Sequence, residues 1–208
     1  MIKNLIFDFG GVIINLDPLR MVMAFAELGV KDIEKVNKSI ADAGLYLDLE
    51  MGLITPAEFR EGMRKHTGLK LTDSQVDNAW NAMILDIPPS RLALLKELKE
   101  NYNVFLLSNT NEIHYQYFNE YLSTEFGIKK LDQIFTKCYY SHQLKLRKPE
   151  PEIFLKVLSL AGLKADECLF IDDSKDNVKT ARDLGIHGIV HHPGEEINQY
   201  FVEGRIRD

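Results

Sequence analysis

Five short apolar runs, separated by stretches of helical periodicity, constrain the fold of this chain most. They are Met-Ile-Lys-Asn-Leu-Ile-Phe-Asp-Phe at 1–9, Asn-Val-Phe-Leu-Leu-Ser-Asn at 103–109, Thr136 to Ser141, Glu167 to Ile171 and Gly188 to His191. Runs of this length are too short for buried helices and suit strands covered on both faces. Strands alternating with helices imply an α/β protein with a parallel sheet and right-handed crossovers.

Between the first and second runs the periodicity is helical only. Pro18 opens a pattern with Met21, Val22, Phe25 and Leu28 on one face, and Gly29 stops it. A second pattern runs from about Asp32 to Ala43 and ends at Gly44. Thr55 and Glu58 form a capping box that starts a third helix, and Thr72 and Gln75 form another that starts a fourth. The expectation is four helices over residues 17–87, inserted as a small bundle into a core made of 1–16 and 88–208. After Gly11 the residues Val-Ile-Ile-Asn-Leu-Asp-Pro read as a continued extended segment.

The strand exits carry the polar features. Asp8 closes the first strand just before Gly10 and Gly11, where the backbone can turn sharply. Ser108 and Asn109 leave the second strand, Lys148 precedes a helix, and Asp172 and Asp173 leave the fourth strand. Singly, each has a plain alternative: Asp8, Asp172 and Asp173 as turn residues, Ser108 as a helix cap, Lys148 as a solvated charge. In a doubly wound sheet, however, these positions converge on one crevice at the carboxyl ends of the strands. There Asp8, Asp172 and Asp173 form an anionic oxygen site of the kind Mg²⁺ takes, and Lys148 offsets further negative charge. A serine hydroxyl beside backbone N–H groups can hold phosphate oxygens, and Asp8 can attack phosphorus to give an aspartyl-phosphate.

Charge and cysteine usage narrow the partners. A formal charge of −6 gives neither nucleic acid nor an anionic membrane surface any counterion-release gain, so a small molecule is the expected ligand, and the strand-exit site suits a small phosphorylated metabolite. Cys138 and Cys168 fall in or beside strand-like runs and read as buried free thiols. With no targeting or membrane-spanning segment discerned, a cytoplasmic monomer or homodimer is expected. His191 and His192 are adjacent on a strand end, where neighbouring side chains point apart, so they are read as a loop edge and not as a metal pair.

The sequence resembles the haloacid dehalogenase-like superfamily across nearly its whole length. The resemblance rests on Phe-Asp-Phe-Gly-Gly-Val at 7–12, Leu-Ser-Asn-Thr-Asn at 107–111, Arg-Lys-Pro-Glu-Pro-Glu-Ile-Phe at 147–154 and Phe-Ile-Asp-Asp-Ser at 170–174. It implies a Rossmann-like doubly wound sheet of order 3-2-1-4-5 with an inserted helical cap, and Mg²⁺-dependent phosphatase chemistry. By the same resemblance Asp8 is the nucleophile, Ser108 and Lys148 are catalytic, and Ser108, Asn109, Lys148 and Gly11 bind substrate. Asp8, Asp172, Asp173 and the backbone carbonyl of Gly10 serve the metal.

One position departs from the superfamily pattern. Where Asp-x-Asp places an acid that protonates the leaving oxygen, this chain has Gly10. The surrounding motifs resemble the subgroup containing α-D-glucose-1-phosphate phosphatase, which implies a hexose 1-phosphate with an easily departing anomeric oxygen. Asp17, Asp48 and Glu50 are alternative sources of the missing acid. Phosphonate or carbon–halogen hydrolysis on the same scaffold, and a weakly active phosphate-binding protein, are the competing readings. Phosphonate cleavage would call on a lysine of the insertion, Lys31, Lys35, Lys38 or Lys65.

Overall fold

The computed structural model describes residues 1–207. Its centre is a five-stranded parallel sheet: β1 (Asn4–Phe7), β2 (Asn103–Ser108), β3 (Lys137–Tyr140), β4 (Cys168–Asp172) and β5 (His187–Val190), in spatial order β3-β2-β1-β4-β5. Alternate residues of the central strands face opposite layers, as the pleat requires. Leu5, Phe7, Leu106 and Ile171 enter one core, and Ile6, Phe105, Leu107 and Phe170 enter the other. Helices α6 (Pro89–Leu98) and α7 (Glu112–Phe126) contribute to the first, while α9 (Pro151–Ala161) and α10 (Lys175–Asp183) contribute to the second. The sheet order and the parallel α/β class expected from the sequence are those observed.

The insertion holds five helices, not four: α1 (Pro18–Glu27), α2 (Ile33–Asp42), α3 (Leu45–Glu50), α4 (Pro56–Thr67) and α5 (Asp73–Asn81). Gly44, at φ +71°, breaks the chain between α2 and α3, and six residues are too few for α3 to show a period of its own. Both expected capping boxes form, Thr55 with Glu58 and Thr72 with Gln75. The five helices enclose a separate apolar cluster that includes Phe25, Ile40, Phe59, Met63 and Trp80, joined by Ile113 of α7.

Other differences from the sequence reading have local causes. The segment after Gly11 is not extended at its start: the amides of Ile13 and Ile14 both donate to the Phe9 carbonyl, at 2.8 and 2.9 Å, folding Gly11–Ile13 into a turn, and Leu16 then bridges Ile84. Val12, Ile13 and Ile14 are apolar because the turn is buried, not because it is a strand. Helix α7 runs for 15 residues and stops at Gly127. A short helix α8 (Ser141–Leu144) and an antiparallel pair, β6 (Phe201–Val202) with β7 (Arg205–Ile206), carry no pattern long enough to anticipate. No helix among the described residues is long and apolar enough to cross a membrane, and both cysteines are buried and free.

The insertion meets the core through a ring stack. Tyr46 lies on Trp80 at 5.1 Å and 11°, and Trp80 lies on His114 of α7 at 5.1 Å and 5°. His114 Nδ1 stands 2.8 Å from Asn81 Oδ1. Burial pushes the His114 imidazole down to about 3, so it stays neutral in the folded chain at pH values where the unfolded chain protonates it. Stability carried this way is present above about pH 6.5 and is lost as pH falls. Replacing His114 by Phe keeps an aromatic ring on Trp80 and removes the titration. Between pH 7 and pH 5 the native chain should therefore lose about 1–2 kcal/mol more than His114→Phe, measured by urea denaturation at both pH values.

Candidate active site

Parallel register places the polar strand ends at one level. Phe7 pairs with Leu106 on one side and Ile171 on the other. One residue further on, Asp8 therefore stands level with Leu107 and Asp172. Lys148 converges on this level from the loop before α9. Its ammonium lies 2.8 Å from Asp8 Oδ1 and 2.6 Å from Asp172 Oδ2, and donates to the Leu107 carbonyl at 2.9 Å. The Phe170 ring centroid is 5.4 Å away. The sequence alternative of a solvated charge is excluded, since Lys148 is 1% exposed.

Neighbouring side chains fix these groups. Asn109 clamps the Lys148 backbone: its Oδ1 accepts from the Lys148 amide and its Nδ2 donates to the Lys148 carbonyl, both at 2.9 Å. Its amide thus engages the loop that carries Lys148, a positioning contact that its expected substrate-binding role did not foresee. Asp172 is wholly buried, and Asn177 of α10 donates to both its oxygens at 2.9 and 3.0 Å. The Ser174 amide adds a bond of 2.8 Å to Asp172 Oδ1. Nothing in the sequence marked Asn177 except its place five residues after Asp172, in the first turn of a helix. Ser108 is buried at the end of β2, and its hydroxyl makes one long bond of 3.4 Å to the Asn109 carbonyl.

Asp8, Asp172 and Asp173 each bring a carboxylate oxygen within 4.8 Å of the others. Three acids against one ammonium leave an excess of negative charge. Burial pushes Asp8 up to about 7; Lys148 opposes this shift and the Asp172 charge adds to it. Asp173 is raised by burial and then by Asp172. Burial works to lower Lys148, yet the two carboxylates hold it above its ordinary value. Gly11, at φ +72°, lies against Asp173, and a Cβ there would come 2.5 Å from Asp173 Oδ2. Only a residue without a side chain allows that approach. Hard oxygen donors with uncompensated negative charge suit a divalent cation such as Mg²⁺, so the residues present fit the expected metal. His191 is buried elsewhere, its Nδ1 3.0 Å from the Tyr200 hydroxyl.

Beside this cluster opens a cavity of about 330 Å³. Its floor is Gly10, Ser108 and Asn109, and the insertion supplies Tyr46, Glu50 and Trp80. Glu50 ends α3 and pairs with Arg147 across the gap at 3.2 Å. Gly10 has no room for a side chain as the structure stands, because Leu16 Cδ1 lies 2.6 Å from where its Cβ would be. Asp17 caps α1, accepting from the Leu19 amide at 3.0 Å, and neither it nor Asp48 lines the cavity.

Comparison with known proteins agrees with this geometry. Residues 2–185 match the haloacid dehalogenase-like hydrolase family. The D-ribitol-5-phosphate phosphatase of Bacteroides thetaiotaomicron is 33% identical over 201 residues, covering 96% of each chain. A haloacid dehalogenase family enzyme from the same organism, crystallised with magnesium and inorganic phosphate, superposes with a TM-score of 0.88. It is 42% identical, covering 97% of this chain and all of the other. A HAD-like family hydrolase of Porphyromonas gingivalis gives a TM-score of 0.84 at 36% identity, covering 94% and 93% of the two chains.

The buried ammonium makes a testable demand on stability. Lys148→Met leaves Asp8 and Asp172 buried without their counter-charge, at an expected cost of about 3–5 kcal/mol. In chelator at pH 8 the urea midpoint should drop accordingly. At pH 5.5 the loss should be smaller, because Asp8, already raised, takes up a proton there and its charge disappears.

Proposed function

Since the chain belongs to the haloacid dehalogenase-like hydrolases, we propose that it is a magnesium-dependent phosphatase acting on a small phosphomonoester through Asp8. The observation that carries this reading is the buried Lys148 bridging Asp8 and Asp172 beside a third carboxylate and a ligand-sized cavity. Lys148 fixes Asp8 Oδ1 in place and, with Asn109 holding its backbone, keeps the carboxylate aimed at the strand exit. Asp8 attacks phosphorus, the ester oxygen departs, and water later cleaves the aspartyl-phosphate. The Ser108 hydroxyl, with neighbouring backbone N–H groups, holds phosphoryl oxygens, and Lys148 offsets their charge. A divalent cation held by Asp8, Asp173, Asp172 and the Gly10 carbonyl supplies, when bound, the positive charge that favours ionised Asp8 and neutralises the phosphate.

The helical layer over residues 17–87 serves as a cap that closes the site and selects the substrate. Support comes from the cavity, which takes its walls from both layers. Closure of this kind excludes water and completes a site. The substrate class we favour is a phosphorylated sugar or sugar alcohol, spanning a hexose 1-phosphate and a pentitol phosphate. Apolar parts of such molecules pack on cavity walls like Leu16, Met21 and Met83, while few polar groups fix their orientation. The relative that hydrolyses D-ribitol 5-phosphate favours the sugar-alcohol end of this class. Phosphonate cleavage through a Schiff base is disfavoured, because Lys31, Lys35, Lys38 and Lys65 are all exposed and none lines the cavity. Metal-free dehalogenation is disfavoured by the cluster of three acids.

Phosphate release is to be followed for pentitol phosphates, hexose 1-phosphates, nucleotides and p-nitrophenyl phosphate, with Mg²⁺ and with chelator. Turnover should require Mg²⁺ and favour the sugar class, and Asp8→Asn should lower kcat by at least about 10³-fold. Turnover equal in chelator, or unchanged in Asp8→Asn, would overturn the reading.

A further inference from the structure

A phosphatase acting on an alkyl ester needs a proton for its leaving oxygen, and a positioned acid typically contributes on the order of 10²- to 10⁴-fold. Position 10 cannot provide it: the residue is glycine, and Leu16 fills the space a side chain would enter. Three titratable side chains line the cavity beside Gly10 and Ser108, namely Tyr46, Glu50 and His114. His114 is stacked under Trp80 with Nδ1 on Asn81, and burial keeps it neutral and without a proton to donate as an imidazolium. Tyr46 donates its hydroxyl to Asn37 at 3.2 Å, and burial pushes it up to about 12. Glu50 remains.

Several features suit Glu50 to the task. It ends α3, and the next turn is pressed against the core, where a Cβ on Gly52 would collide with the His142 carbonyl. Arg147, the residue before Lys148, donates from Nη2 to Glu50 Oε2 at 3.2 Å. The acid is thereby tied to the loop that also positions the nucleophile's ammonium. The Glu50 side chain is 29% exposed, so it is partly desolvated yet open to the cavity. Burial raises its carboxyl above the ordinary range, against the opposing pull of Arg147 and Lys148.

Resting on the phosphatase reading above, we propose that Glu50 is the general acid and base of the reaction, standing in from the helical insertion for the residue absent at position 10. In the first step an Asp8 carboxylate oxygen forms a bond to phosphorus as the bond to the ester oxygen breaks. The Glu50 proton passes to that oxygen, which leaves as the alcohol. In the second step water attacks phosphorus, its proton returns to Glu50, and the bond between Asp8 and phosphorus breaks to release phosphate. Arg147 then has a positioning role: it holds the carboxylate towards the leaving oxygen.

Leaving-group dependence tests this. p-Nitrophenolate departs without protonation, whereas a pentitol alkoxide does not. With Mg²⁺ present, Glu50→Gln should lose about 10²-fold or more in the single-turnover rate of pentitol release and change less than about 5-fold in the burst rate of p-nitrophenolate release, which precedes the step in which Glu50 acts as base, with Glu50→Asp recovering part of the loss. Arg147→Gln breaks the same ion pair but keeps the acid, so its ratio of alkyl to aryl turnover should stay closer to native than that of Glu50→Gln. Should Glu50→Gln fold poorly, Glu50→Asp provides the reading, with a larger loss in pentitol release than in the p-nitrophenolate burst supporting the proposal and an equal loss overturning it. Equal losses in both first-turnover rates in Glu50→Gln, no loss in either, or an identical ratio in the two variants would reduce Glu50 to a structural anchor and overturn the proposal. A native protein inert with Mg²⁺ towards all of these phosphomonoesters would instead overturn the phosphatase reading beneath it.

Discussion

The Lys148 ammonium, held between Asp8 and Asp172 beneath the strand ends, is the contact on which the site depends. Its three acceptors, Asp8, Asp172 and the Leu107 carbonyl, come from three adjacent strands at one level of the sheet. Burying a lone ammonium or carboxylate costs several kcal/mol, so each of these charges is tolerable only because the others are in place. A slip of one residue between β1 and either neighbour would turn a carboxylate or carbonyl away from the lysine and leave a charge unpaired. The ion cluster therefore enforces the same register that buries Phe7 between Leu106 and Ile171. Asn109 and Asn177 complete the arrangement by fixing the Lys148 backbone and the Asp172 oxygens.

Much of this was legible in the sequence because each feature leaves a signal of short range. Five apolar runs gave five strands, and glycines and capping boxes marked helix ends. The acids at 8, 172 and 173 stood at strand exits, where a doubly wound sheet gathers its polar groups. What escaped depends on contacts between distant segments or on elements too short to repeat. Helix α3 has six residues and no readable period. Val12 to Ile14 are apolar for burial in a turn, and apolarity alone does not separate that from a strand. Asn177 is an ordinary helix residue until Asp172 lies beside it, and Asn109 looked like a ligand-facing amide until the Lys148 loop came within 2.9 Å. Glu50 was one of three candidate acids by sequence. Only the fold, which caps α1 with Asp17 and leaves Asp48 off the cavity, separates them.

The helical layer and the sheet are joined by interactions of different strength, and this bears on how the site works. Tyr46, Trp80 and His114 form a continuous ring stack with a neutral imidazole at its base, a contact insensitive to salt and to pH near neutrality. The Arg147–Glu50 pair spans the same seam as a partly exposed ion pair, the kind that contributes little stability and exchanges readily with water. The stack thus fixes where the layers meet, while the ion pair can open without unfolding either. That division suits an acid that Arg147 holds towards a leaving oxygen while its own protonation changes.

Placing the proposed acid on the insertion also changes what closure accomplishes. An acid two residues beyond Asp8 would share its rigid turn and be present whether or not substrate is covered. Glu50 reaches the cavity only through the packing of α3 against the core, so proton transfer becomes conditional on the position of the helical layer. Leu16 in the space beside Gly10 adds apolar wall to the cavity where a fourth carboxylate would otherwise crowd Asp8, Asp172 and Asp173. The glycine at position 10 is then not simply a missing group: it relieves like-charge repulsion in a cluster already raised by burial. The acid function moves to a carboxylate whose neighbours are cations.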